Sequence, residues 1–252
     1  MSSGAPALTV RGAAKRFGGV LALDNVDVEL YAGEVLAILG DNGAGKSTLI
    51  KCISGVHQLD SGTIEVGGRP VQLHNPADAR ALGIETVYQD LALFDNLGPS
   101  ANFYAGREMA GPRWLPMGMR LLRGRSMSVA TRDVLDRLRV TLPDLDSPVG
   151  LMSGGQRQAV AVARATAFAA HVVILDEPTA ALGVREARRV LDLIHRLRDD
   201  GKAVAVISHA MDHVMEIADR AIVMRRGRKV GEVLPSESSR DEIVSLIVGG
   251  DS

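Results

Sequence analysis

The sequence predicts an α/β fold, and three observations carry that expectation. Short apolar runs such as EVLAIL (Glu34–Leu39), VVIL (Val172–Leu175) and AVAVI (Ala203–Ile207) have the length and continuity of buried strands. Longer amphipathic runs lie between them. One of these, Val184–Leu197, puts Val190, Leu191, Ile194 and Leu197 on a single helical face. The chain of 252 residues is 46% hydrophobic and 23% charged, which is enough apolar matter to bury a full core.

Taken in order, Val26–Leu30 alternates as a half-buried strand. Glu34–Leu39 runs into a glycine-rich turn at Gly40, and a helix opens near Gly45, carrying Leu49, Ile50 and Ile53. Thr63–Val66 is a short strand closed by the turn residues Gly67 and Gly68. Pro76–Leu82 reads as a helix with proline near its start, and Glu85–Gln89 as a strand. From Asp90 to about Leu142 the strand pattern fades. Ser128–Val140 has helical apolar spacing at Val129, Val134, Leu135 and Leu138, so this stretch is expected to be a mainly helical insertion. An alanine-rich helix follows Gly154. The strand Val172–Leu175, the helix Val184–Leu197 and the strand Ala203–Ile207 come next. Then follow a short helix at Met211–Ala218, strands at Ala221–Met224 and Lys229–Val233, and a terminal helix at Asp241–Val248.

Composition excludes several classes. Lysine plus arginine is 29 and aspartate plus glutamate 30, so the chain lacks the basic excess of a dedicated nucleic-acid binder. Aromatics at 3% argue against a stacking platform for single strands. Cys52 is the single cysteine, so no disulfide framework forms within the chain, which fits a reducing cytosol. Met1–Leu8 shows no basic cluster followed by an apolar run, and no secretory leader is expected. The longest apolar stretch, Ala159–Leu175, is interrupted by Arg164 and His171 and falls short of the ~20 residues that span a bilayer.

The strongest local signal is GDNGAGKST: Gly40, Asp41, Asn42, Gly43, Ala44, Gly45, Lys46, Ser47 and Thr48. Glycine, four residues, then Gly-Lys-Ser/Thr, between a strand and a helix, is the phosphate-loop pattern in its proper context. Glycines let backbone N–H groups converge on phosphate oxygens, and the helix N-terminus adds partial positive charge. Lys46 is placed to reach the β- and γ-phosphates, Ser47 to ligate magnesium, and Thr48 to assist with phosphate. ATP and magnesium are therefore the expected nucleotide and ion. With glycine at roughly 7% of residues, such a match is accidental in on the order of 1% of chains this long.

A second constellation is VVILDEPT, Val172–Thr179, where Asp176 and Glu177 end a buried strand. Ligands of open parallel sheets bind at that edge. Asp176 would hold magnesium through water, and Glu177 would orient and deprotonate the attacking water. On their own, two acids at a strand end also read as solvated surface.

With these residues the chain resembles the nucleotide-binding subunit of an ATP-binding-cassette (ABC) transporter. The telling segment is LMSGGQRQ, Leu151–Gln158, which resembles that family's signature motif and supplies Ser153, Gly154, Gly155 and Gln156 as nucleotide contacts. Phe17 in KRFGG resembles the aromatic that stacks on adenine. Gln89 in VYQD resembles the glutamine at the junction with a helical subdomain, with a role in catalysis and in the metal site. His209 in VISHA resembles the switch histidine that contacts the γ-phosphate. Taken singly, Phe17 also reads as core, Gln89 carries no meaning, and His209 reads as a surface or capping histidine.

The resemblance covers about Leu8 to Val248. It implies a P-loop ATPase core with a mixed sheet, an N-terminal antiparallel β subdomain and a helical insertion subdomain at about 90–165, all within one nucleotide-binding domain spanning 1–252. It also implies a head-to-tail dimer, in which Lys46, Asp176, Glu177 and His209 of one subunit face Ser153 and Gly155 of the other across ATP. One departure stands out: after AAL the family usually has aspartate, and here Gly183 follows, in a position that helps to couple the two sites.

The segments GDNGAGKSTLIKCISG, DSGTIEVGG, LFDNLGPSANFYAGRE and EPTAALGVREARRVL resemble the monosaccharide (ribose-, xylose-, galactose- and fructose-type) importer branch in its single-cassette form. The implied partners are a second nucleotide-binding subunit, identical or paralogous, separate transmembrane permease subunits and an extracytoplasmic solute-binding protein, with no nucleic acid. The implied location is peripheral, on the cytoplasmic face of the membrane. Two other readings stay open: the same ATPase serving a non-sugar solute, and an ATP-switched regulatory or nucleic-acid protein.

The remaining histidines, His57, His74, His171, His195 and His213, match no motif and read as structural or solvated. Cys52 reads as a small core residue. Arg107–Arg125 holds five arginines, one glutamate, Met109, Met117, Met119 and Trp114. It is either a solvated loop or a contact near a permease or an anionic leaflet.

Overall fold

A computed structural model describes residues 4–111, 121–142 and 144–249. A six-stranded sheet forms the centre, built from β3 (Val35–Leu39), β6 (Ile84–Val87), β9 (Val172–Asp176), β10 (Ala203–Ile207), β11 (Arg220–Arg225) and β12 (Arg228–Val233). Its order is β12-β11-β3-β10-β9-β6. All neighbours are parallel except the hairpin β11–β12, so the sheet is mixed. The middle strands are buried on both faces, which is why they read as unbroken apolar runs. The period of two still sorts their side chains. Val172, Ile174, Ala203, Ala205 and Ile207 face one core, and Val173, Leu175, Val204 and Val206 face the other.

The first core lies between this sheet, helix α1 (Lys46–Ile53) and a second, antiparallel sheet. That sheet contains β1 (Leu8–Phe17), β2 (Val20–Leu30), β4 (Ser61–Val66) and β5 (Arg69–Val71), in the order β2-β1-β4-β5. The sequence pattern misses β1. Its alternation breaks where Gly12, at φ 58°, gives its N–H to Asp27 Oδ1 at 2.6 Å and the register to β2 slips between Val10 and Ala13. A bulge of this kind inserts a residue and destroys the period on which the reading depends. β5 is too short to show a period.

The second core is roofed by α3 (Pro99–Tyr104), α4 (Gly124–Arg137), α5 (Gly154–Phe168) and α6 (Val184–Asp199), after the small α2 (Pro76–Ala81). On α6 the residues Val190, Leu191, Ile194 and Leu197 are at most 2% exposed. Burying such side chains stabilises by about 1.5–3 kcal/mol each. The insertion is helical as expected, but it also holds a small hairpin of β7 (Ala110–Gly111) and β8 (Leu121–Leu122). Of the arginine-rich segment, Arg113, Trp114, Met117, Met119 and Arg120 lie outside the described residues. A third core joins α7 (Met211–Ile217) and α8 (Arg240–Val248) to Ala37, Leu39, Ala221 and Val223. Among the described residues no helix is long and apolar enough to cross a membrane.

Candidate functional site

The loop between β3 and α1 is shaped by close approach. At Gly40 (φ 145°) a Cβ would stand 2.2 Å from the Met224 carbonyl oxygen, and at Gly45 (φ 101°) it would stand 2.6 Å from that of Ala22. Both distances are far inside contact, so only glycine fits. The loop is pinned from outside by Gly227, which gives its N–H to the Ala44 carbonyl at 3.0 Å. Lys46, 6% exposed, donates to the carbonyl oxygens of Gly40 at 2.6 Å and Asp41 at 2.9 Å. Burial lowers its pKa, opposed by Glu177, Asp41 and Asp176.

Strand β9 delivers the two acids at its C-terminal edge. Asp176 stands in register with Ile207 of β10, and Glu177 gives its N–H to the Ile207 carbonyl at 2.9 Å. Burial raises the pKa of both carboxyls. For Asp176, Lys46 opposes most strongly; for Glu177, His209 opposes and Asp176 adds to the rise. Glu177 has φ 51°, a left-handed backbone that is unusual outside glycine. Its Oε1 lies 3.2 Å from His209 Nε2, yet this buried oxygen has no hydrogen-bond partner.

One cleft of about 590 Å³ gathers these groups. Asn42 through Thr48, Gln89, Asp176, Glu177 and His209 line it, so most of the expected site residues meet there. Gln89 stands just past β6, which ends at Val87 and not at Gln89 as the sequence reading expects; the residue is exposed on the loop. Arg226 also lines the cleft, from the β11–β12 turn. Nothing in RRGR marks it locally, because only the sheet order brings that turn beside the phosphate loop.

Two groups stand apart from this cleft. Phe17, 43% exposed, ends β1, with the His57 ring edge-on at 5.1 Å and Lys15 Nζ 5.6 Å from its centroid. Ser153, Gly154, Gly155 and Gln156 begin α5. There Ser153 Oγ accepts from Gln156 N at 3.3 Å and Gln156 Oε1 accepts from Ser153 N at 2.9 Å, a reciprocal capping box. Gly155 packs against α6, where a Cβ would meet Glu186 Cγ at 2.6 Å. Gly183 caps α6 without a side-chain hydrogen bond.

The donor set suits a hard cation. Ser47, Gln89 and Asp176 bring oxygen ligands into one cleft, with the Glu177 carboxyl beside them. Among the described residues no cluster of three or more His, Cys, Asp or Glu forms a self-contained metal cage. An ion here would therefore share its coordination with phosphate oxygens and water, as magnesium does.

Comparison with known proteins agrees with this geometry. A family model described as ABC transporter matches residues 23–180. The chain is 47% identical over 245 residues to the fructose import ATP-binding protein FrcA of Rhizobium meliloti, covering 97% of this chain and 94% of that one. It is 45% identical to the xylose/arabinose import ATP-binding protein XylG of Sulfolobus acidocaldarius, covering 95% and 93%. It is 43% identical to the ribose import ATP-binding protein RbsA 1 of Rubrobacter xylanophilus, where it covers 97% of this chain and 47% of that longer one. Among solved structures, cbiO1 from Clostridium perfringens, part of an ABC transporter complex, superposes with a TM-score of 0.79 at 27% identity, covering 96% and 93%. A nucleotide-free ATP-binding cassette from an ABC transporter shares the fold with a TM-score of 0.80 at 24% identity, covering 97% and 95%.

Proposed function

The chain belongs to the ABC transporter family, and from that premise we propose that it is the ATP-hydrolysing subunit of a monosaccharide importer. It would work as half of a head-to-tail dimer on the cytoplasmic face of a separate permease. Fructose, xylose/arabinose and ribose import appear in the names of relatives matched over nearly the whole chain. A solute-binding protein would supply the sugar from outside. The membrane path would be supplied by that permease, which the import role in the relatives' names supports. The parts that recognise sugar would then lie in those partners, while this chain supplies the energy.

The observation that carries the reading is the grouping of residues in one cleft, which supports half of a phosphate-transfer site. Lys46, Ser47, Thr48, Asp176, Glu177 and His209 converge, while Ser153 and Gly154 stand exposed on a separate face. A second copy turned head to tail would bring its Ser153 and Gly155, with the N-terminal N–H groups of its α5, to the γ-phosphate. The adenine would lie on Phe17, and the loop amides of Asn42 to Thr48 would hold the phosphates. Lys46 would exchange its carbonyl partners for β- and γ-oxygens. Ser47, Gln89 and Asp176 would hold magnesium, whose contribution is to neutralise charge on the β- and γ-phosphates.

Glu177 would align a water with the γ-phosphorus and accept its proton as the P–O bond to ADP breaks. A carboxyl whose pKa is raised by burial is the better base for this step. His209, beside Glu177, would hold the γ-phosphate and the carboxylate in register. The test pairs hydrolysis with uptake. Glu177→Gln is expected to bind ATP, accumulate closed dimers and lose turnover by about 10³-fold. A strain deleted for this gene is expected to lose uptake of one labelled monosaccharide, restored by wild type and not by Glu177→Gln. Hydrolysis by Glu177→Gln at the wild-type rate overturns the base assignment. Unchanged uptake across a monosaccharide panel overturns the cargo.

A further inference from the structure

His213 matches no motif, yet it makes a specific contact beside the cleft. Its Nδ1 shares a hydrogen bond of 3.0 Å with Thr179 Oγ1, which is 8% exposed and two residues past Glu177. His213 stands on α7, which starts at Met211, two residues after His209. The turn after β9 is thus bonded to α7 through Thr179 and His213, with Glu177 3.2 Å from His209 alongside.

The loop after β9 needs such a tie. Glu177 and Ala181 both have left-handed backbones, at φ 51° and 58°. Each costs on the order of 1 kcal/mol and persists only where the surroundings over-determine it. The backbone bonds inside the turn, Ala180 N–H to Glu177 O at 3.1 Å and Leu182 N–H to Thr179 O at 3.4 Å, are local, while Pro178 is buried and Leu182 packs against the second core. Two hydrogen bonds leave the turn: Glu177 N–H to Ile207 O at one end, and the Thr179 hydroxyl at the middle. Among the described residues, that hydroxyl makes the turn's one side-chain hydrogen bond to another element.

We propose that His213 is a positioning residue for hydrolysis: through Thr179 it holds the left-handed turn that presents the Glu177 carboxylate beside His209. This rests on the reading of Glu177 as the base. His213 is not among the residues that line the cleft, so its loss should lower turnover and leave ATP affinity alone.

The experiment measures kcat and ATP affinity of the full chain for His213→Ala, His213→Asn, Thr179→Val and Thr179→Ser, with Glu177→Gln alongside. Thermal unfolding checks that each variant folds. His213→Ala and Thr179→Val are expected to lower kcat by about 5–30-fold, with Kd for a non-hydrolysable ATP analogue within about twofold. His213→Asn, whose amide overlays Nδ1, and Thr179→Ser, which keeps the hydroxyl, should each recover most of the rate. The double variant His213→Ala/Thr179→Val should be no slower than the slower single variant, because one bond is lost in all three. Unchanged kcat in His213→Ala overturns the proposal, as do losses that multiply in the double variant or a fall in affinity equal to the fall in kcat. Inactive Glu177→Gln beside fully active His213→Ala overturns the positioning role alone. Active Glu177→Gln overturns the base assignment itself.

Discussion

At the scale of single residues, the cleft is expensive to build. Asp176 and Glu177 are partly buried carboxyls whose pKa values lie above the ordinary range because burial disfavours their charge. A carboxyl with a raised folded-state pKa stabilises the fold fully below its unfolded pKa, and that contribution is lost as pH rises through the folded pKa. At neutral pH both acids therefore oppose folding. Asp176→Asn is expected to raise Tm at pH 7 and to lose that advantage as pH falls through the range where the wild-type acids take up protons. The shift should be a few degrees, since about 1 kcal/mol moves Tm by about 2–4 °C in a chain this size. Thermal unfolding of both proteins between pH 4 and 8 checks it, and an Asp176→Asn Tm below wild type at pH 7 would count against it. Cys52 is the opposite case: burial pushes its thiol up to about 11, which leaves it a packing residue and not a nucleophile.

At the scale of elements, the caps separate stability from function. Two helices begin with the same reciprocal capping box, α5 at Ser153 and α8 at Ser239. Removing either serine should cost about 1 kcal/mol of stability. Ser239→Ala should lower Tm by about 2–4 °C and leave ATP hydrolysis at the wild-type rate. Ser153→Ala should lower Tm by the same amount and reduce hydrolysis at least 10-fold, because in the proposed head-to-tail dimer that hydroxyl would also face the partner's nucleotide. Equal ATPase rates in the two variants would remove Ser153 from the site. The helices themselves were legible because their apolar periodicity is strong, as along α6. The strands β1 and β5 were not, since a bulge at Gly12 and a length of three residues leave no period to read. The end of β6 was misplaced by two residues because Tyr88 and Gln89 continue the local pattern after pairing to β9 has stopped at Val87.

At the scale of the whole molecule, the separation of Ser153 from the Lys46 cleft makes a prediction about pairing. Lys46→Ala and Ser153→Glu should each be inactive alone. Mixed in equal amounts, they should recover about a quarter of the wild-type rate, because random pairing makes half the dimers mixed and each mixed dimer has one intact site. No recovery on mixing, measured as ATPase against total protein, would overturn the head-to-tail arrangement. The sequence by itself determined the chemistry here. GDNGAGKST, DEPT and SGGQ state their residue types and spacing locally, because phosphate loops, strand-end acids and helix caps are short-range geometry. Only the tertiary structure decided which distant segments share the cleft. Arg226 reaches the phosphate loop through sheet order, and Val20–Ala22 of β2 reaches it because the antiparallel sheet packs over that edge. His213 reaches Thr179 because adjacent β9 and β10 carry their following loops to the same edge. The physical reason is range: a hydrogen bond acts over about 3 Å, while the residues it joins lie 34 positions apart in the chain.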